Sequence, residues 1–153
     1  MPKDNIYSKI KVFFEKANIG VNDVYFDDSD NNYIFVSLKT DDPRAIIGQG
    51  GMTLSAINYL VSKMIEKEAA EITFPEIVVD VDNFRRKKID NLRTTAHMMA
   101  ERAKYFKSDI EVDPMPAYER KIVHTYLQNS KNIKTESKGE GRERRIIIKY
   151  TEE

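Results

Sequence analysis

The stretch that decides the fold is a nine-residue run in which two isoleucines lead into a glycine loop, Ile46-Ile47-Gly48-Gln49-Gly50-Gly51-Met52-Thr53-Leu54. Helical patterns lie on both sides of it, so the run predicts two helices joined by a glycine turn. Glycine accepts a positive φ and has no Cβ atom to hold a ligand away from the main chain. The N–H groups at the start of the second helix favour an anion. The loop is therefore a candidate site for the backbone of a phosphate-bearing chain.

Spacing separates the glycine-containing loops that bind phosphate. A P-loop needs Gly-Lys-Ser/Thr at its end, and the sequence has no lysine between Arg44 and Lys63. A dinucleotide-binding fingerprint that begins at Gly48 needs a third glycine where Thr53 stands. The pattern that fits is Ile-Gly-x-x-Gly, with which KH domains hold about four nucleotides. The alternative is a tight interhelical turn without a ligand.

Composition excludes several kinds of site. The 153 residues suffice for one medium domain or two small ones, and 41% hydrophobic residues suit packed cores. The absence of cysteine excludes disulfides, thiolate metal sites and cysteine nucleophiles, and only His97 and His124 remain as histidine ligands. We expect no metal and no cofactor. Charged residues interrupt any apolar N-terminal run, so we expect a cytoplasmic protein that does not insert into a membrane.

Charge is distributed unevenly along the chain. Residues 1–83 hold 8 Lys and Arg against 14 Asp and Glu, a net of −6, whereas residues 84–153 hold 17 against 11, a net of +6. This asymmetry predicts two domains, 1–83 and 84–153, with the surface for a polyanion mainly in the second.

Hydrophobic periodicity and turn residues predict the elements of the first domain. They are a helix over 4–18, a hairpin of strands Val21–Asp27 and Tyr33–Thr40, a short helix from Pro43, a helix over 52–67 and a strand over 77–81. The order helix, strand, strand, helix, glycine loop, helix, strand is that of a type II KH domain. We therefore predict an α+β fold whose first domain is of this type.

The second domain is predicted to begin with a long helix that Asp82 or Asn83 caps and that ends near Phe106. A narrow apolar stripe runs along this helix as far as Phe106, and the first turns of the helix carry the four cations of residues 85–88. Those cations either pair with the acidic first domain, are simply solvated, or contact a phosphate backbone. The remaining predicted elements are a strand over 109–112, a helix over 117–128 and a strand pair over 132–138 and 143–150.

Two motifs in the second half carry a family resemblance, Asp113-Pro114-Met115-Pro116-Ala117-Tyr118-Glu119-Arg120-Lys121-Ile122-Val123-His124 and, further on, Thr135-Glu136-Ser137-Lys138-Gly139-Glu140-Gly141 with Arg144-Arg145-Ile146-Ile147-Ile148. They resemble the R-3-H domain, named for an arginine and a histidine separated by three residues. A KH domain followed directly by this domain is similar to the bacterial Jag family, also called KhpB, EloR or SpoIIIJ-associated proteins, over nearly the whole chain.

The resemblance implies a cytoplasmic RNA-binding protein linked to cell elongation, division or sporulation. It implies single-stranded RNA, with single-stranded DNA as the alternative, and a small single-KH protein as partner. Homodimerisation and a link to a membrane-associated elongation complex are further expectations. Many members of the family begin with a separate small N-terminal domain, whereas this sequence begins at the first KH helix. The loop also holds Gln49-Gly50 where RNA-binding KH loops commonly carry a basic residue.

Arg120 and His124 are four residues apart and share one helix face. They either pair with Glu119, Glu136 or a backbone carbonyl, or they face a ligand. Arg120 suits phosphate as a planar fork, and His124 suits a base or a phosphate. If the last hairpin packs beside the helix, its cations extend this surface. The candidate RNA-binding residues are Ile47, Gly48, Gln49, Gly50, Gly51, Arg120, His124, Lys138, Arg142, Arg144 and Arg145.

The residue pattern bears on three classes of function. Catalysis needs a constellation of nucleophile, base or paired carboxylates, and the sequence contains no such pattern, so we expect a protein that is not an enzyme and has no catalytic residues. Single-stranded RNA binding fits the loop and the Arg120/His124 helix together. The alternative is an adaptor whose KH domain mediates dimerisation while nucleic-acid binding is weak or confined to the R-3-H domain.

Overall fold

The structure is a computed structural model that describes residues 2–70 and 75–152. The chain divides into two compact units, Met1–Arg86 and Lys87–Glu153, each with helices on a small sheet. The predicted class, α+β in two small domains, is confirmed. The division falls within a long helix, three residues beyond the boundary predicted from charge.

The first unit follows the predicted order of elements. Its three-stranded sheet has the order β1-β2-β3, in which β1 is antiparallel to β2 and β3 is parallel to it. The last strand lies one residue earlier than predicted. The elements are α1 (Pro2–Ala17), β1 (Val21–Asp27), β2 (Tyr33–Thr40), α2 (Pro43–Ile47), α3 (Met52–Ala70) and β3 (Glu76–Asp80).

The core of this unit lies between α1, α3 and one face of the sheet. Ile6 and Ile10 of α1 and Leu54 and Val61 of α3 are fully buried, and they pack in one cluster with Val36 of β2. Each such side chain stabilises the fold by about 1.5–3 kcal/mol relative to an exposed one. The helix that follows the glycine loop is therefore fixed in place, because α3 is part of this core.

The start of the long helix α4 (Phe84–Phe106) is capped differently from the prediction. Asp80, at the end of β3, accepts hydrogen bonds from the N–H groups of Arg85 at 2.8 Å and Arg86 at 3.0 Å. Asp82 and Asn83, the predicted caps, both have φ of 57° and form the tight turn that brings Asp80 to the helix start. The buried carboxylate of Asp80 thus satisfies N–H groups that would otherwise lack partners.

Two of the cations at the start of α4 have carboxylate partners. Arg86 lies 2.8 Å from a carboxylate oxygen of Asp27 and 4.1 Å from the ring centroid of Phe35. Hydrogen bonds from the hydroxyl and N–H of Ser29, followed by that of Arg86, lower the pKa of Asp27 to about 2. Lys88 pairs with Glu119 at 2.7 Å. For Arg86 the predicted pairing with the acidic first domain is therefore correct, whereas Lys88 pairs within the second unit instead.

In the second unit, α4 and α5 (Ala117–Leu127) pack on a sheet of order β4-β6-β5, antiparallel throughout. Its strands are β4 (Ile110–Glu111), β5 (Ile133–Lys138) and β6 (Arg145–Tyr150). Ala96, Ala100 and Ala103 of α4 are buried in this core, and their small side chains suit a close approach of helix and sheet. Phe106, predicted as the last apolar position of the stripe, is instead 65% exposed, because α4 ends there and the chain turns away.

Across residues 2–70 and 75–152, no helix is both long enough and apolar enough to cross a bilayer.

Candidate nucleic-acid interface

The glycine loop between α2 and α3 depends on Gly48 for its shape. This residue has φ of 74°, and a Cβ atom there would lie 2.2 Å from Oγ1 of Thr53 and 2.9 Å from its backbone N. The preceding helix, α2, is capped at its N-terminus by the Asp42 side chain, which accepts a hydrogen bond from the N–H of Ala45 at 3.3 Å. Pro43 lies in the first turn of this helix. Ile47 packs against the core. The base of the loop is therefore fixed by packing.

The apex of the loop is open. The N–H of Gly48 donates to the carbonyl of Arg44 at 2.8 Å, and the N–H of Gly51 to the carbonyl of Gly48 at 3.3 Å. The N–H groups of Gln49 and Gly50 donate no hydrogen bond within the described part of the chain. Both residues are exposed, and a Cβ at Gly50 would meet nothing within 4 Å. Two adjacent donors thus face solvent, which is the arrangement that an extended anionic chain requires.

A cavity of about 460 Å³ lies in the second unit between α5 and the β5 edge of the sheet. Three cationic residues line it, and among the residues that the structure describes no carboxylate does. This arrangement favours an anionic ligand. The lining residues are Ala117, Arg120, Lys121, His124, Thr125, Gln128, Thr135, Ser137 and Arg144.

Backbone and hydroxyl contacts hold the two motif residues of α5 in this cavity. Arg120 donates from Nη1 to the carbonyl of Met115 at 2.7 Å, which leaves the other guanidinium N–H groups for a ligand. Nδ1 of His124 lies 2.6 Å from the hydroxyl oxygen of Thr135. Burial, followed by the charge of Arg120, lowers the pKa of His124 below its usual value of 6.5. At neutral pH His124 is therefore an uncharged side chain beside a cation.

Arg144 reaches the cavity from the residue before β6. Its Nη1 donates to the carbonyl of Gly139 at 2.8 Å, and its backbone carbonyl accepts from the N–H of Met115 at 3.2 Å. Gly139 has φ of 95°, and a Cβ there would lie 3.0 Å from the carbonyl oxygen of Glu143. The glycine turn between β5 and β6 thus places Arg144 in the same cavity lining as Arg120.

The structure separates the other predicted cations of the hairpin from this cavity. Residues directly opposite each other on neighbouring strands share a face, and Thr135 and Ser137 are opposite two buried isoleucines of β6. Lys138 is opposite Arg145 and lies on the other face by alternation. Arg142 is exposed in the turn before β6. Lys138, Arg142 and Arg145 therefore do not line the cavity.

Arg145 has carboxylate partners on its own face of the sheet. It lies 3.1 Å from Glu143 and 3.7 Å from Glu111. Lys149 and Glu136 form a further ion pair on this face. The basic surface expected from the sequence thus separates into a cationic cavity and an opposite face in which charges of both signs alternate.

Two hydroxyl residues of the cavity were missed in the sequence. Thr135 and Ser137 line it beside His124, and Oγ of Ser137 is buried with no hydrogen-bond partner in the described chain. Their spacing of two residues places both side chains on one face of the strand, so strand alternation could have identified them from the sequence. Elsewhere in the described residues, no group of three or more His, Cys, Asp or Glu is placed to hold a metal ion.

Comparison with known proteins gives consistent matches. Residues 90–150 match the R-3-H domain family. The RNA-binding protein KhpB of Clostridium symbiosum is 32% identical over 152 residues, which cover 99% of this chain and 67% of that protein. KhpB of Bacillus subtilis is 34% identical over 107 residues, 69% of this chain and 50% of that protein. KhpB of Lactiplantibacillus plantarum is 27% identical over 121 residues, 79% of this chain and 37% of that protein. The chain thus spans about one third to two thirds of the length of these relatives.

Proposed function

Because this chain belongs to the family of the RNA-binding protein KhpB, we propose that it binds single-stranded RNA without catalysing a reaction on it. The observation that carries the proposal is the cavity between α5 and β5, which Arg120 and Arg144 both line and which no carboxylate of the described chain lines. Phosphate contacts of this kind supply most of the affinity of proteins for nucleic acid.

The chemistry of the cavity suits a single strand better than a duplex. One helix and one strand form its two sides. His124, Thr125 and Gln128 lie beside the cations in its lining and are neutral polar residues. Neutral side chains next to a phosphate site serve to contact the faces and pairing edges of bases, which a single strand exposes and a stacked duplex conceals. Single-stranded DNA has the same backbone charge, so the 2′-hydroxyl decides between the two polymers.

The glycine loop supplies the second proposed contact. We assign the first unit as a type II KH domain on its element order, its mixed sheet and the open N–H groups of Gln49 and Gly50. Backbone N–H groups bind phosphate as dipoles and carry no net charge, so binding at this loop depends less on salt than binding in the cavity. In the cell, the proposal describes a cytoplasmic post-transcriptional regulator linked to elongation, division or sporulation.

A second candidate function is an adaptor whose first unit binds another protein. An apolar groove of about 580 Å³ runs between α1 and α3, lined by Val12, Phe13 and Met64 among others, and Val12 is 43% exposed. Such a groove suits a second KH protein, either a copy of this chain or a small single-KH partner, and through it an elongation complex at the membrane. Binding there is compatible with RNA in the second unit.

The test of RNA binding uses the full chain and a labelled single strand of roughly 12 nucleotides. Fluorescence anisotropy at low salt gives Kd for this strand, for its blunt duplex and for the DNA of the same sequence. Arg120→Ala should weaken binding, whereas the matched control Lys134→Ala, which removes a cation from the opposite face of the same sheet, should not. Equal affinity for duplex and single strand, or equal effects of the two substitutions, would contradict the proposal.

A further inference from the structure

Two aromatic rings at the end of α4 have no role in the core. Tyr105 is 82% exposed and Phe106 is 65% exposed, and their rings meet edge to face with centroids 5.0 Å apart. Adjacent exposed aromatic residues of this size are uncommon on a surface that only contacts water. The edge-to-face contact fixes the two rings against each other, so at least one ring face remains open to a planar ligand.

Two of the three cations beside these rings are not paired with carboxylates in the described chain. Arg102 and Lys107 are exposed and make no ion pair in the described chain. Lys104 is paired with Glu101 at 3.1 Å. The next acid along the chain, Asp109, accepts from the N–H of Tyr150 at 3.1 Å. The rings are therefore flanked by two available positive charges, one on each side along the chain.

The turn after α4 fixes this arrangement. Lys107 has φ of 49°, and the N–H of Ser108 returns to the carbonyl of Ala103 at 3.2 Å, which closes the helix end. Ala103 itself is fully buried. The rings and the two cations thus stand on a helix end anchored to the core rather than on a loose segment.

We propose that Tyr105 and Phe106 form a stacking platform for the bases of a single-stranded nucleic acid, with Arg102 and Lys107 at its phosphates. Aromatic rings flanked by cations are what an unpaired strand requires, because bases stack on the rings while the phosphates need neutralisation. An apolar protein partner would gain from the rings but would have to cover two cations that lack carboxylate partners in the described chain. The proposal rests on the proposed RNA binding and adds a second contact region in the same unit, on α4 rather than α5.

The chain contains no tryptophan, so Tyr105→Trp gives a single reporter at the platform. Titration of this full-length variant with single-stranded RNA should quench and shift its emission, because a stacked base covers the indole. In separate anisotropy titrations, the double variant Tyr105→Ala/Phe106→Ala should raise Kd by roughly fivefold or more. Met98→Ala is the matched control, because Met98 is 64% exposed on the same helix, and it should leave Kd unchanged.

The outcomes separate this inference from the proposed function. If wild-type protein fails to bind RNA, the proposed function is wrong, and the platform with it. If wild type binds, Arg120→Ala weakens binding and the double alanine variant does not, only the platform is wrong. A double variant that no longer self-associates in sedimentation but keeps its Kd for RNA would show that the rings contact protein, which also overturns the inference. Thermal melts monitored by circular dichroism verify that each variant is folded.

Discussion

Nδ1 of His124 lies 2.6 Å from the hydroxyl oxygen of Thr135, across the cavity wall from helix to strand. Which of the two groups donates depends on the imidazole tautomer, and we predict that the hydroxyl of Thr135 donates to Nδ1. The neutral imidazole then carries its proton on Nε2. His124 thus acts as a neutral donor at the cavity.

The first prediction concerns this tautomer. Nitrogen-15 shifts of His124 in the free protein should show the Nε2–H form at neutral pH, because Thr135 supplies the proton that Nδ1 accepts. Thr135→Val should give a mixture of tautomers, and Thr135→Ser should restore the single form. A pure Nδ1–H spectrum in wild type would mean that Thr135 is the acceptor.

The second prediction concerns pH. Burial and Arg120 lower the pKa of His124 in the folded protein, so the unfolded chain binds more protons. Stability should therefore fall as pH drops from about 6.5 towards the folded pKa. A phosphate in the cavity favours the charged ring, so RNA affinity should rise several-fold between about pH 7.5 and about pH 5.5. Fluorescence anisotropy titrations at both pH values measure this change in RNA affinity.

The two histidines of the chain provide the matched comparison for this experiment. His124→Gln should remove the pH dependence of Kd, and His97→Gln, at an exposed position of α4, should preserve it. An equal pH response in both variants would assign the titration to another group.

The third prediction tests the apex of the glycine loop. Replacing Gln49 and Gly50 together with Asp places two carboxylates beside the open N–H groups, and should weaken RNA binding by at least about tenfold through repulsion of phosphate. The fold should persist, because Gly50 has open space around it and a φ of 61° that Asp tolerates. The double Asn variant is the neutral isosteric control. If the Asp and Asn variants both bind as tightly as wild type, the loop has only a structural role.

The fourth prediction tests the base of the loop. Gly48→Ala should destabilise the protein by roughly 2 kcal/mol or more, because the added methyl overlaps Thr53 and the backbone is held at φ of 74°. Urea unfolding of the full chain measures the change in the free energy of unfolding. Adding Thr53→Ala should recover part of it by removing the closest atom. Full recovery would show that the steric overlap, rather than backbone strain, dominates.

The fifth prediction ranks the two RNA contacts. Arg120→Ala/Arg144→Ala should weaken binding and flatten the salt dependence, by about 0.7 in slope for each phosphate of a single strand that the protein no longer neutralises. The Asp variant of the loop should also weaken binding, but it should flatten the salt dependence less than the double arginine variant does. Titrations at about 50 and about 200 mM salt separate these effects. A flatter slope from a neutral loop variant than from the double arginine variant would reverse the ranking.

Hydrophobic periodicity was sufficient to predict most of the fold, because each element of the first unit has its own local sequence pattern. The strand that ends at Asp80 shows where it was not sufficient. Asp80 continues an apolar strand, and only the turn at Asp82 and Asn83 brings its carboxylate to the N–H groups of α4. The cap thus depends on how the chain folds back at this turn, which the preferences of single residues do not specify.

The cavity shows the same limit. Helical spacing placed Arg120 and His124 on one face, and strand alternation places Thr135 and Ser137 together. Which sheet edge the helix covers is decided by packing of Val123 and Leu127 against the core, and no local pattern encodes it. Alternation separates Arg144 from Arg145 where β6 begins, and this packing decides which of the two lies at the cavity and which beside Glu143 and Glu111.

The contrast between Gly48 and Gly50 also bears on how this loop diverges in evolution. Packing against Thr53 demands glycine at position 48 in any descendant that keeps these helices, with or without RNA. Position 50 has open space around it and a φ of 61° that asparagine and aspartate also adopt, so glycine in preference to these two persists there only while a ligand needs close access to the backbone. A lineage that abandons RNA binding through this loop should therefore keep its first glycine and accumulate side chains at the second.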